Sequence, residues 1–226
     1  MYYGYGFGRF LDPTYILVIL AGVIALAASA YCNSTMSRYS GQEAAERVLH
    51  AAGIFDVGVR QMGGRGISFY RYDKTVNLSA ELFHQSSITA VATAAHECGH
   101  AMQHASGYGV NRLINLLNPV MQISSNAAIP VFILGLIFSL EILQTVGIVL
   151  FSVVVVFQLV TLPSEFNASR RAMVMLQNTG ILRTEEEVRG ARKVLIAAGL
   201  TYVAALAGAL LQLMRLVILA GGRDRD

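Results

Sequence analysis

The sequence predicts a mainly α-helical membrane protein with about four transmembrane helices and a small cytosolic α+β portion. Of its 226 residues, 54% are hydrophobic and only 14% are charged, and the mean hydropathy is +0.53. These values are far from those of average globular domains. Long uncharged runs recur at about the length of a bilayer-spanning helix. The net charge is only +3 and the cationic residues are scattered, so no nucleic-acid partner is expected.

Hydrophobic and polar stretches alternate along the chain and divide it into segments. We predict five of them: an N-terminal segment with the first transmembrane helix (1–32), a cytosolic portion with a histidine motif (33–126), a transmembrane hairpin (127–162), a cytosolic helix (163–193) and a C-terminal hydrophobic helix (194–226).

The first hydrophobic run, residues 15–31, has the length of a membrane span. A cleaved signal peptide is the alternative, because Ala28-Ser29-Ala30 fits a small-x-small cleavage pattern. The residues before the run set Arg9 against Asp12 and lack a basic n-region. We therefore interpret the run as a retained anchor.

The polar portion has helix and strand patterns. "SGQEAAERVLHAAGI" predicts a helix that stops near Gly53, and "ISFYRYDKTVNLS" has the β-branched and aromatic content of one or two strands. "SSITAVATAAHECGHAMQHASG" predicts a long helix, with a serine cap at Ser86 or Ser87 and Gly107 as its terminator. The histidine motif therefore lies on a helix.

Later hydrophobic runs predict the remaining spans. Residues 129–140 and 146–162 form a helical hairpin around "EILQTVG", and residues 194–220 either cross the bilayer or lie against the other helices. Seven Lys and Arg residues occur in 33–126 and six in 163–193, whereas the hairpin loop has none. The positive-inside rule thus places both polar segments in the cytosol, although the basic residues at the two chain ends fit it less well.

The motif "HECGH" has the His-Glu-x-x-His pattern of metallopeptidases. On a helix, His96 and His100 lie about 40° apart on one face with a rise of about 6 Å, so both imidazoles can reach one zinc ion. Glu97 lies in the adjoining row, where it can accept the proton of a zinc-bound water as general base. The pattern predicts one catalytic Zn²⁺, which polarises a scissile carbonyl.

A catalytic zinc usually has three protein ligands, so one more is needed. His104 would lie about 12 Å along an unbroken helix from His96, and no Gly or Pro between His100 and His104 turns the chain. We interpret His104 as a residue behind the ligands or on the substrate side. Among the carboxylates, Glu165 follows a hydrophobic span, and Pro163 suits the first turn of a new helix. A carboxylate that only stabilises a helix N-terminus is the alternative for Glu165.

Four stretches in the same order, "DPTYILVIL", "YDKTVNLSAELF", "AVATAAHECGHAMQHASGY" and "LPSEFNASRRA", resemble the bacterial membrane family of neutral zinc metallopeptidases, the YugP-like proteins. This family is similar in plan to the membrane-embedded gluzincin peptidases of the HtpX type. The resemblance implies a zincin-like catalytic portion, with His96, His100 and Glu165 as zinc ligands and Glu97 as base. It also implies a multi-pass protein of the bacterial inner membrane, whose active site we expect to face the cytosol.

One position departs from the related pattern. HtpX-like peptidases have an aspartate four residues after the ligand glutamate, where this chain has Ser169. The carboxylate that would usually orient a ligand histidine is therefore missing. Arg170 and Arg171 either help to hold the oxyanion or substrate, or are a positively charged membrane flank, which we favour. "KTVNLS" either offers a strand edge to an extended substrate or has no such role.

We therefore predict a membrane-anchored zinc metalloendopeptidase that hydrolyses peptide bonds in membrane or membrane-proximal substrates, with membrane lipid and a protein or peptide substrate as partners. Two alternatives remain: a site-2-type intramembrane protease, and a non-catalytic metal-binding scaffold or regulator. The segment before the motif has too few apolar residues for a spanning helix, which disfavours the first. A structural zinc site usually has four ligands, often cysteines, which disfavours the second.

Overall fold

The computed structural model describes Val23 and residues 35–63 and 67–221. Its elements are three strands and six helices: α1 (Gly41–Ala51), β1 (Gly58–Met62), β2 (Ser68–Tyr70), β3 (Thr75–Ser79), α2 (Ala80–His84), α3 (Ile88–Ala105), α4 (Gly109–Ile137), α5 (Glu141–Asn178) and α6 (Glu185–Gly221). The predicted span at 15–31 lies, apart from Val23, outside these residues. The described chain is mostly helical with one small sheet, as predicted.

Three helices of the described chain, α4, α5 and α6, are long and apolar enough to cross a membrane. They contain 29, 38 and 37 residues, and a helix of about 20 residues spans the hydrocarbon core. Many of their large apolar side chains are exposed, including Leu116, Ile142 and Ile218. Exposed apolar surface of this kind is expected where lipid is the solvent.

The helix boundaries differ from the prediction at Pro163. We expected a new helix to begin there, but α5 runs without a break through Pro163 to Asn178. Proline removes one backbone hydrogen bond, and flanking packing can offset that loss in an apolar helix. The "EILQTVG" stretch is likewise not a loop, because it forms the first turns of α5. The turn lies at Phe138–Leu140, where Ser139 has a positive φ of 56°.

The described chain divides into two compact units. One contains Ile114–Val160 and the chain from Thr201 onward, and the other contains residues 35–113 together with Thr161–Leu200. In the first unit α4 and α5 pack so closely at Gly147 that an added Cβ would lie 2.6 Å from the Cβ of Phe132. Small residues permit this approach between apolar helices.

The second unit has a core built around α3. Its buried face packs on α1 through alanines and aliphatic side chains that are fully inaccessible, among them Ala44, Val48, Val91 and Ala95. Helix α1 begins at a capping box, in which Ser40 accepts from the Glu43 backbone and the Glu43 side chain accepts from the Ser40 backbone. Gly53, with a φ of 74°, follows its end, as predicted.

The sheet of this unit has the order β1-β3-β2. β1 is parallel to β3 and β2 is antiparallel to it. The two strands expected in "ISFYRYDKTVNLS" are confirmed as β2 and β3, whereas β1 was not predicted, because "GVRQM" contains only one β-branched residue. β3 is the central strand, paired along its whole length with β1 and at Thr75–Asn77 with β2.

Candidate metal centre

Helix α3 holds the histidine motif in its second half. Ser87 caps the helix by accepting a hydrogen bond from the Ala90 backbone at 3.2 Å. His96 and Glu97 are buried, with 8% and 6% of their surface exposed. The rings of His96 and His100 lie edge to face with centroids 4.8 Å apart. Both imidazoles therefore occupy one face of the helix, as the spacing predicts.

Close packing of α5 on α3 brings a carboxylate to this face. Gly99 faces Ala168 so tightly that an added Cβ would lie 2.4 Å from the Ala168 carbonyl oxygen. The absence of a side chain at position 99 thus lets the two backbones meet. Glu165, one turn before Ala168 on α5, then faces the two histidines.

The ligand atoms of the three residues converge. The Glu165 Oε2 atom is 3.3 Å from His96 Nε2 and 3.6 Å from His100 Nε2. The three candidate ligand atoms all lie within 4.8 Å of one another. Among the described residues, they form a group able to hold a metal ion.

The hydrogen bonding of Glu165 tests whether this group fits zinc. Its Oε2 atom is buried and meets no donor at hydrogen-bonding geometry among the described residues. Burial alone would raise the pKa of this carboxyl, but the His100 and His96 rings beside it hold that pKa low. A buried carboxylate oxygen left without a donor is costly, whereas a metal ion placed between the three atoms would satisfy it. Two imidazoles and one carboxylate are also the donor set of catalytic zinc sites with an open position. The residues present therefore fit zinc.

The ring nitrogens that face away from Glu165, the Nδ1 atoms of His96 and His100, also have partners. The Nδ1 atom of His96 lies 3.1 Å from the Ser169 hydroxyl, and the Nδ1 atom of His100 lies 3.1 Å from the Gln103 side-chain oxygen. Ser169 thus occupies the orienting position that the sequence left without a carboxylate. Gln103 was not among the site residues predicted from the sequence, although it lies three residues after His100 on the same helix face, which is a usable signal.

The side chain of Glu97, on the motif helix, lies next to the sheet. Burial raises the pKa of its carboxyl, while the His100 and His96 rings and a hydrogen bond from the Phe69 backbone act in the opposite direction. Phe69 belongs to the edge strand β2, so the sheet contacts the carboxylate next to the metal ligands. A buried carboxylate with a raised pKa suits a proton-accepting role.

Three other candidates lie outside the cluster. His104 is exposed and contacts the Phe69 ring, with centroids 5.8 Å apart. Arg170 is also exposed. Arg171 donates to the Asn167 side chain at 2.8 Å and to the Met102 carbonyl at 3.4 Å.

The two arginines help to line an open, mostly apolar cavity of about 370 Å³, together with Met102, Asn167, Val174 and Met175.

The strand that we considered as an edge for a substrate is not an edge strand over most of its length. "KTVNLS" forms the central strand β3, whose backbone is paired on both sides at Thr75–Asn77. Those residues offer no edge to a substrate. The strand that contacts the motif helix beside Glu97 is β2, a three-residue edge strand.

A chain with apolar helices of membrane-spanning length and a buried group of two histidines and a glutamate has the features of a membrane metallopeptidase. The family model described as "Putative neutral zinc metallopeptidase" matches residues 14–221, and the chain belongs to this family. This confirms the resemblance seen in the sequence.

A relative from Bacillus subtilis (strain 168), named "Putative membrane protease YugP", is 42% identical over 191 residues, which cover 83% of this chain and 84% of the relative. No solved structure matches the chain.

Proposed function

We propose that this protein is a membrane-anchored zinc metalloendopeptidase that cleaves peptide bonds in membrane or membrane-proximal substrates. One observation carries the proposal: the undonated Oε2 atom of Glu165 faces the Nε2 atoms of His96 and His100. In this proposal these three residues hold one zinc ion. Family membership supports the choice of zinc.

When bound, zinc would supply a Lewis acid that polarises the scissile carbonyl and lowers the pKa of a water towards 7. Glu97 then accepts the proton of the attacking water and delivers it to the leaving amine. Its burial beside the ligands limits solvent access to the carboxylate.

The course of α5 supports a membrane-proximal substrate. The same helix carries the apolar segment 142–162 and, immediately afterwards, Glu165. The Lys and Arg distribution supports a cytosolic active site. The bacterial relative named a membrane protease supports placement in the bacterial cell (inner) membrane. The edge strand β2 lies beside Glu97, where an extended peptide can pair with backbone groups other than the Phe69 N–H.

The two alternatives have less support. A site-2-type protease carries its motif within a spanning helix, but α3 is not one of the candidate spans in the described chain. A structural metal site usually has four protein ligands, whereas three candidate ligands converge among the described residues. We therefore retain only the peptidase as the proposed function.

The test compares two glutamate variants of the full chain in detergent or vesicles. Glu97→Gln is expected to bind zinc like the wild type and to lose cleavage of an unfolded protein substrate. Glu81→Gln, which changes an exposed glutamate on α2, is the matched control and keeps activity. Full activity of Glu97→Gln would refute the proposal.

A further inference from the structure

Gln103 is the centre of a buried polar network behind the candidate metal site. Its side chain is fully buried, so its amide NH₂ group and its amide oxygen need hydrogen-bond partners within the protein. Its side chain contacts four residues of α3, α4 and α5: His100, Asn111, Ser164 and Asn167. A buried network this well connected fixes side-chain orientations.

The network determines which way the Gln103 amide points. Its nitrogen lies 2.7 Å from the backbone carbonyl oxygen of Ser164, which can only accept, and 3.2 Å from the Asn167 side-chain oxygen. The amide nitrogen must therefore face these two oxygens. The amide oxygen then faces the Ser164 hydroxyl at 3.1 Å and the Asn111 amide nitrogen at 3.4 Å. Both of these groups can donate, although the one Ser164 hydroxyl proton is shared with the Asn111 side-chain oxygen at 2.8 Å. The Ser164 carbonyl contact is therefore the one that fixes the amide orientation.

This orientation in turn favours one tautomer of His100. The same amide oxygen lies 3.1 Å from His100 Nδ1, and because the oxygen can only accept, a hydrogen bond between them requires the proton on Nδ1. In the neutral ring, Nε2 is then the nitrogen with the free lone pair. That nitrogen is the one that faces Glu165.

We propose that Gln103 is a positioning residue that holds His100 as the Nδ1–H tautomer and fixes the helix of the third ligand against the motif helix. The second role follows from its bond to the Ser164 carbonyl, because Ser164 directly precedes Glu165. One side chain thus acts on two of the three proposed ligands. The inference rests on the proposed function for its purpose, but the tautomer itself can be measured without metal.

The first experiment measures the ring nitrogens of ¹⁵N-histidine-labelled, metal-free protein at alkaline pH, where the rings are neutral. The chain has five histidines, and the His100→Ala variant identifies the signal of His100. We expect Nδ1 protonation in the wild type and in Gln103→Glu, which keeps an acceptor. In Gln103→Met, which has no acceptor, we expect growth of the Nε2–H form. Nε2–H in the wild type, or an unchanged Nδ1–H form in Gln103→Met, would overturn the inference.

The second experiment measures zinc affinity by chelator competition and the visible spectrum of the cobalt-substituted protein. Gln103→Met should bind zinc about 10- to 100-fold more weakly, the usual effect of losing a group that orients a ligand. Gln103→Glu should recover most of this loss, and equal weakness of both variants would overturn the acceptor role. Gln144→Met is the matched control, because Gln144 is a buried glutamine bonded instead to the Gly135 carbonyl.

These outcomes separate the inference from the proposed function. A wild-type chain that shows the Nδ1–H tautomer but binds no zinc would refute the zinc peptidase and leave the action of Gln103 on His100 intact. Equal zinc affinity of the wild type and Gln103→Met would refute the positioning role of Gln103 and leave the zinc site intact. If Gln103→Met does not fold, the tautomer measured in Gln103→Glu decides alone, and Nε2–H there contradicts the inference.

Discussion

The Ser169 hydroxyl lies 3.1 Å from the Nδ1 atom of His96, and both groups are buried. The serine therefore takes the position that an aspartate has in the HtpX-like pattern. A neutral hydroxyl can accept the ring N–H, but it does not raise the basicity of the imidazole as a carboxylate does. This bond orients the ring with little electrostatic contribution.

We predict that Ser169→Ala weakens zinc binding by about 10-fold, because His96 loses the partner that orients it. Ser169→Asp should bind zinc at least as tightly as the wild type, since a carboxylate accepts the same N–H more strongly. Chelator competition measures both affinities. Equal affinity of Ser169→Ala and the wild type would show that the bond does not orient the ligand.

Removal of the proposed third ligand should have a larger effect. We expect Glu165→Ala to lose zinc affinity by more than about 100-fold, because two histidines alone do not complete a three-ligand site. His104→Ala is the control on the same motif segment and should retain the metal. The opposite pattern, with zinc lost in His104→Ala and kept in Glu165→Ala, would overturn the ligand assignment.

Metal removal provides a stability measurement on the unaltered chain. A ligand that binds only the folded state stabilises it, by about 2.7 kcal/mol at a free concentration of 100 times Kd. Zinc should therefore raise the thermal unfolding midpoint of the wild type and leave that of Glu165→Ala unchanged. A chelator should lower the wild-type midpoint to the metal-free value. A midpoint that does not respond to zinc would contradict the site.

Gly99 provides a test of the helix contact that brings Glu165 to the histidines. An alanine there would place its Cβ 2.4 Å from the Ala168 carbonyl oxygen, so α3 and α5 must separate. We predict that Gly99→Ala destabilises the fold by about 1–3 kcal/mol and weakens zinc binding. Gly109→Ala is the control, since an added Cβ there meets no atom within 4 Å. Thermal unfolding and zinc titration of both variants provide the comparison.

Cys98 should not react with alkylating reagents in the folded protein, although it lies within the motif. Its side chain is fully buried, and its thiol contacts the Ala45 carbonyl at 3.5 Å. Burial raises the pKa of the thiol, with a further rise from Glu97, so little reactive thiolate forms at neutral pH. In a Cys32→Ser background, we expect alkylation of Cys98 only after denaturation. Rapid labelling of the folded protein would contradict this packing.

The sequence predicted the motif helix, the α1 helix and two of the three strands, because each has a strong periodic pattern and a recognisable cap or glycine stop. It did not predict the unbroken course of α5. The cost of Pro163 is local, whereas the packing that offsets it comes from distant residues. The role of Gln103 was also missed, since its partners on α4 and α5 are distant in sequence and no local pattern indicates them.

The bond between His96 and Ser169 joins residues 73 positions apart, and the proposed zinc ligands close a loop of similar size. Closing a flexible loop of that length costs about 4 kcal/mol of chain entropy, apart from a constant. A metal ion at this point would act as a removable cross-link between the motif helix and α5. If the chain were cleaved at the turn around Ser139, the ion would still join His96 to Glu165, and a chelator would remove that link.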